Sequence, residues 1–198
     1  MKLREIIKLS AIMLNLDEIL SSEDLYDDTY DITSEDTTLT EGESIDISFN
    51  LLIRCFNLAY SEIATDYIPL IDCCKITVEN GEYNLSNLTK KFYKLVKLED
   101  KYGSAVKCNI YNNVLKAKDG EYNLIYCYLP SFATLNSDII DFNGKVVDRI
   151  FAYGLNKEYC YICGMYDEAN SYKEKFEDCL KSCSTIKKNL VLPRRRWE

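Results

Sequence analysis

Apolar residues recur along this chain at two different spacings, and the switches between them divide it into segments. Over residues 2 to 14, Leu3, Ile6, Ile7, Ala11 and Leu14 fall at helical spacing, which predicts an amphipathic opening helix. Between Ile47 and Ala64, Leu51, Leu52, Cys55, Phe56, Ala59 and Ile63 repeat at three- and four-residue steps, with Asn50, Arg54, Asn57 and Glu62 largely off that stripe. A second helix with a buried face is expected there. Tyr67-Ile68-Pro69 ends it, because the residue before a proline is pushed out of the α region.

From Pro69 to Pro130 the period shortens to two. The stretches IDCCKITVENGEYNLS, FYKLVKLEDKYGSAVKCNIYNN and VLKAKDGEYNLIYCYLP alternate apolar with polar and are punctuated by Asn80-Gly81, Tyr102-Gly103 and Asp119-Gly120. Five or six short antiparallel strands are expected, with no helix through Tyr93 to Val106. Helical spacing returns after Pro130: Val147, Ile150, Phe151, Gly154, Leu155 and Ile162 form one stripe, Gly164 sits where a left-handed C-cap would stop that helix, and Asp167 is placed to cap the next. The last helix carries Tyr172, Phe176, Cys179, Leu180 and Cys183 on one side, against Lys175, Glu177, Asp178 and Lys181 on the other. The predicted fold class is α+β: a helical bundle core from residues 1–68 and 131–198, with an inserted antiparallel β module over 69–130. An acidic linker over 21–44 and a basic C-terminal tail over 189–198 complete the expected organisation.

Composition narrows the chemistry. With 198 residues, 47% apolar and 28% charged, the chain has the balance of a globular protein with one good core. A formal charge of −8 argues against a general phosphate-backbone binder. No apolar run reaches the roughly 18 residues of a membrane span, and the N-terminus mixes charge through its apolar positions, so a cytosolic protein with no membrane partner is expected. Histidine is absent, which removes Ser-His-Asp and Cys-His nucleophile pairs, His-bearing zinc sites and the usual neutral-pH base together. An enzyme is not expected.

Nine cysteines form an odd set without a secretory signal, so reduced thiols are expected. Cys160-x-x-Cys163 and Cys179-x-x-x-Cys183, fifteen residues apart, approach a four-cysteine zinc spacing. Both pairs lie within helical periodicity, however, whereas zinc knuckles use tight turns, and a redox pair needs its first cysteine at a helix N-terminus. The reading is therefore burial as small hydrophobes, with no metal, disulfide or cofactor. In Cys73-Cys74, adjacent strand residues point to opposite faces, which places at least one in the core. The segment SSEDLYDDTYDITSEDTTLTEGES, Ser21 to Ser44, holds nine Asp/Glu and no Lys or Arg, without calcium-loop spacing, and reads as a solvated connection.

The order of LLIRCFNLAYSEIATDYIPL, the strand-rich insert ending in YLP, VVDRIFAYGLNKEYCYICGMYDEANSYKEKFEDCL and the terminal LPRRRW resembles the head-to-tail connector, or adaptor, proteins of tailed bacteriophages. The resemblance runs from Leu51 to Trp197, leaves out the acidic segment, and contains no catalytic fingerprint. It implies a structural virion protein of the neck, present in the host cytoplasm during assembly. Many copies, on the family pattern a dodecamer, would form a ring beneath the portal protein and meet a tail or next ring protein. Genomic DNA would pass through the channel without sequence-specific binding. The β insert favours the mixed, podovirus-like form of connector.

Arg194, Arg195, Arg196 and Trp197 are the candidate partner-binding residues. A terminal Arg cluster is commonly a solvated tail, but Arg and Trp are also the types most enriched at interface hot spots, and connector C-terminal segments commonly reach the portal. Two rival readings follow from the same sequence. One is a cysteine-based zinc-binding or redox interaction module. The other is an acidic DNA mimic, which the confinement of the acidic residues to one linker counts against.

Overall fold

The computed structural model describes residues 2–21, 25, 44–139, 142 and 146–184. The protein is mixed α+β, with four longer helices packed together and two small three-stranded antiparallel sheets. The helices are α1 (Leu3–Leu14), the single turn α2 (Asp17–Leu20), α3 (Ser44–Glu62), α4 (Asp148–Ile162) and α5 (Tyr166–Ser184). The strands are β1 (Leu70–Val78), β2 (Glu82–Asn84), β3 (Phe92–Glu99), β4 (Asn109–Tyr111), β5 (Val114–Lys116) and β6 (Gly120–Tyr128). By backbone proximity the chain divides into two compact units, one from Met1–Phe56 with Leu135–Glu198 and one from Asn57–Thr134.

In the helical unit, α1 begins where its first amide donors find acceptors: Leu3 N–H donates to Ser137 O and Arg4 N–H to Leu135 O, both at 3.1 Å. It ends at Asn15, which adopts the left-handed conformation (φ 55°, ψ 45°) that asparagine tolerates. Leu3, Ile6, Ile7 and Ala11 are buried as the periodicity predicts. Aromatic rings join the later elements, with Phe151 5.9 Å from Phe56 and 6.1 Å from Phe142 between centroids.

Two features of α4 differ from the single predicted stripe. Ile150 to Lys157 are buried without a break, so the middle turns, which follow the exposed Asp148 and Arg149, are enclosed on all sides. Val147 and Ile162, by contrast, are more than half exposed. Val147 is the extended residue before the helix, and Ile162 belongs to its last turn. Gly164 caps α4 as expected, at φ +76°, with Met165 N–H donating to Cys160 O at 2.9 Å and Gly164 N–H to Tyr161 O at 3.2 Å. Asp167 falls inside the first turn of α5, not at its cap, where its carboxylate faces the positive end of the helix dipole.

The helical run of α3 continues past Glu62 as one π-turn, Ile63–Tyr67, closed by Ile68 N–H donating to Ile63 O at 2.8 Å. Asn57 is buried rather than on a polar face. Its side chain donates to Ala133 O at 2.9 Å and accepts from Ala133 N–H at 2.7 Å, which satisfies a backbone segment with no strand partner of its own.

Among the described residues all strands fall between Leu70 and Tyr128, and no helix crosses Tyr93 to Val106. The larger sheet has the order β1-β6-β3 and the smaller β2-β5-β4. Ile76, Val78, Leu98, Leu124 and Tyr126 from the first and Leu115 from the second, with Leu85, form one core. Asn80 and Gly81, both at positive φ, make the β1–β2 hairpin turn, and Asn112 with Asn113 does the same between β4 and β5.

Candidate docking surfaces and the cysteine positions

β3 is an edge strand with two bulges. Its register against β6 shifts between Phe92 and Lys94 and again between Leu95 and Lys97, leaving Tyr93 and Val96 as the extra residues, each about half exposed. The register places Lys94 opposite Cys127 and Lys97 opposite Ile125, so both lysines lie on the sheet face away from Leu98 and Leu124. After Glu99 the chain turns back: Asp100 Oδ1 accepts from Tyr102 N–H at 2.8 Å and Ser104 N–H at 2.9 Å, and Val106 N–H donates to Leu98 O at 2.8 Å. Between β3 and this return lies an open groove of about 420 Å³, lined by Leu95 to Leu98 and Ala105 to Asn109. Its charged groups are Lys97 and Lys107.

A second cleft of about 440 Å³ lies over β1 and β6, with Lys75, Lys101, Glu121 and Tyr122 in its wall. Its two ammonium groups and one carboxylate suit a charged ligand group better than a proton transfer, which needs an acid and a base in hydrogen-bond reach. At the turn between α4 and α5, Ile162, Cys163, Met165 and Tyr166 are all exposed, an apolar tip followed by Asp167 and Glu168.

The cysteines separate into distinct environments. Cys160 and Cys55 are fully buried, whereas Cys163 is exposed and Cys179 and Cys183 are half-buried, so burial as small hydrophobes holds for Cys160 and not for Cys163. Cys163 directly follows the last turn of α4, where the chain turns away from the packed face. Of the vicinal pair, Cys74 packs on the β core but stays half-buried, and Cys73 is exposed. Neither is therefore fully in the core. Burial pushes the Cys55 thiol up to about 12, aided by the Glu158 charge and nearby Cys163 and Cys160. Burial and the Glu168 charge raise Cys160 to about 11. These are protonated thiols at neutral pH, the opposite of the thiolate that redox exchange uses.

Among the described residues no group of three or more Cys, Asp or Glu is arranged to hold a metal ion, and no helix is long and apolar enough to cross a membrane. Arg194, Arg195, Arg196 and Trp197, the candidate partner-binding residues, lie outside the described residues, as does nearly all of the acidic segment 21–44.

The charge of the chain is distributed unevenly. The segment Ser21 to Ser44 carries nine Asp/Glu, so the rest has 23 against 24 Lys/Arg and is close to neutral. Reasoning from net charge alone missed this, and a count by segment reveals it. No protein-family model matches the chain, and no curated protein is similar to it.

Proposed function

We propose that this chain is a structural subunit of a bacteriophage head-to-tail connector. Copies would form an adaptor ring beneath the portal, link it to a tail or next ring protein, and surround the DNA channel. The observation that carries the reading is the α4–α5 hairpin. It spans one of the stretches that carry the resemblance to the connector family and precedes VLPRRRWE in the chain. A ring subunit needs a stiff packed element from which a docking tail can leave. The enclosed middle turns of α4, the Gly164 cap and Phe176 and Leu180 buried along α5 are consistent with that need.

In this proposal the role is architectural, not catalytic, and the isolated subunit is a monomer or weakly associated until a portal templates the ring. Arg194 to Arg196 pair with carboxylates on the portal, and Trp197 fills an apolar pocket. Truncation after Leu192 tests this assignment: the subunit should stay folded while portal attachment weakens, with about 2 kcal/mol or more lost from Trp197 alone. Unchanged portal binding at low and moderate salt would reduce the tail to a solvated end. The redox alternative is disfavoured by the burial of Cys160 near the C-terminal end of α4, away from a helix N-terminus.

A further inference from the structure

Six lysines and two carboxylates lie between Leu88 and Lys107, the most basic stretch of the β unit. Both carboxylates are engaged: Glu99 pairs with Lys97 at 2.5 Å, and Asp100 holds the turn amides. Lys90 is occupied with Asp72 at 3.1 Å. Lys94 and Lys107 are exposed and have no ion-pair partner among the described residues. Lys107 therefore brings an uncompensated positive charge to the wall of the groove beside β3, and Lys94 adds a second next to its Leu95 lining, a combination suited to an acidic peptide with interspersed apolar side chains.

The chain contains such a peptide. Residues 26 to 43, YDDTYDITSEDTTLTEGE, carry seven carboxylates, no Lys or Arg, and Tyr30, Ile32 and Leu39 between them. Both ends are fixed on the helical unit: Leu25 is buried with its carbonyl accepting from Arg4 Nη1 at 3.4 Å, and Ser44 opens α3. Eighteen residues doubled back between these anchors reach outward by roughly 30 Å at ~3.3 Å per residue.

We propose that the β3 groove is a docking site for the acidic segment 26–43 of a second copy of this chain, held by Lys94, Lys97 and Lys107. The choice of a second copy rests on the ring reading, in which each subunit meets its neighbour through two different surfaces. The bulges at Tyr93 and Val96 interrupt the ladder that an added strand would need, so charge and side-chain contacts carry the attachment. Edge lysines and bulges also discourage strand pairing in general, which accounts for Lys94 and Lys97. It does not account for Lys107 on the opposite wall of the groove.

Two complementary full-length variants test the contact. The donor carries Lys94→Glu, Lys97→Glu and Lys107→Glu; the acceptor has the seven carboxylates of 26–43 changed to amides. Each should sediment as a monomer alone, and their mixture should associate at least tenfold more strongly at 50 mM salt and separate at 300 mM. A donor with Lys→Gln replaces the first if reversal unfolds the β unit, as circular dichroism would show. A mixture no more associated than its components overturns the proposal. So does duplex DNA held by the acceptor through the same lysines without heteromer formation. Adding portal rings separates the two ideas: heteromers that ignore the portal support the contact and count against the ring. Portal binding by both variants without heteromers removes the contact and keeps the ring.

Discussion

In the β unit many stabilising polar contacts are local, as where Ser86 N–H donates to Asn84 Oδ1 and Asp100 collects the amides of Tyr102 and Ser104. In the helical unit they join the two ends of the chain: Asn156 Nδ2 meets Met13 Sδ across 143 residues, and Tyr172 Oη donates to Met13 O across 159. The units differ in charge as well. Residues 57–134 hold nine Asp/Glu against nine Lys/Arg, so the whole surplus of eight carboxylates belongs to the other unit. Both units close on contacts between separated segments, but those of the β unit, β1 on β6 and Asn57 on Ala133, span shorter stretches of chain than those of Met13 with Asn156 and Tyr172.

The largest break in that comparison should come from the helical core. Phe151→Ala removes the ring that meets both Phe56 and Phe142 and should cost about 3 to 5 kcal/mol in denaturant melts. Amide protection over 70–128 should persist at denaturant concentrations where α4 and α5 exchange. Simultaneous loss of protection in both would show one cooperative body instead of two. In the β unit, Asn57→Ala leaves the Ala133 N–H and C=O without their partners and should cost about 2 to 3 kcal/mol.

Alkaline pH should sharpen the contrast further. Cys55 and Cys160 have folded values of about 12 and about 11, above an ordinary 9.0, so the unfolded chain releases their protons first. Their contribution to stability is complete below pH 9 and is lost as pH rises through 11 and 12. Cys55→Val should flatten that decline in melts recorded between pH 8 and 11. The smallest effect belongs to Tyr126, whose buried hydroxyl has no hydrogen-bond partner among the described residues. Tyr126→Phe should be neutral or stabilising by about 1 kcal/mol, and a loss above that would reveal a partner for the hydroxyl.

The same contrast explains what could be read from the sequence. Period-two alternation and the Asn80-Gly81 turn are local signals, so the β module was legible with nearly all its strands. The Asn112-Asn113 turn was not, because it lacks the glycine that usually marks such a hairpin. In the helical unit, periodicity located each helix but not what covers it. Nothing within α4 announces that Ile150 to Lys157 are enclosed on all sides, because α5 covers one side only and α1, which also packs on it, lies at the other end of the chain. Asn57 was misread for a related reason: its partner, Ala133, lies 76 residues on. As for the docking surface, the lysines of β3 were visible as letters, yet the groove between β3 and its return depends on bulges that alternation cannot foresee.

The proposed role is tested most directly by mixing the purified chain with its cognate portal ring and imaging the particles by electron microscopy. The expected result is a second ring on one face of the portal, made of many copies and lost when the chain is truncated after Leu192. Portals that stay bare at micromolar subunit and low salt would contradict it, as would single copies bound without ring closure.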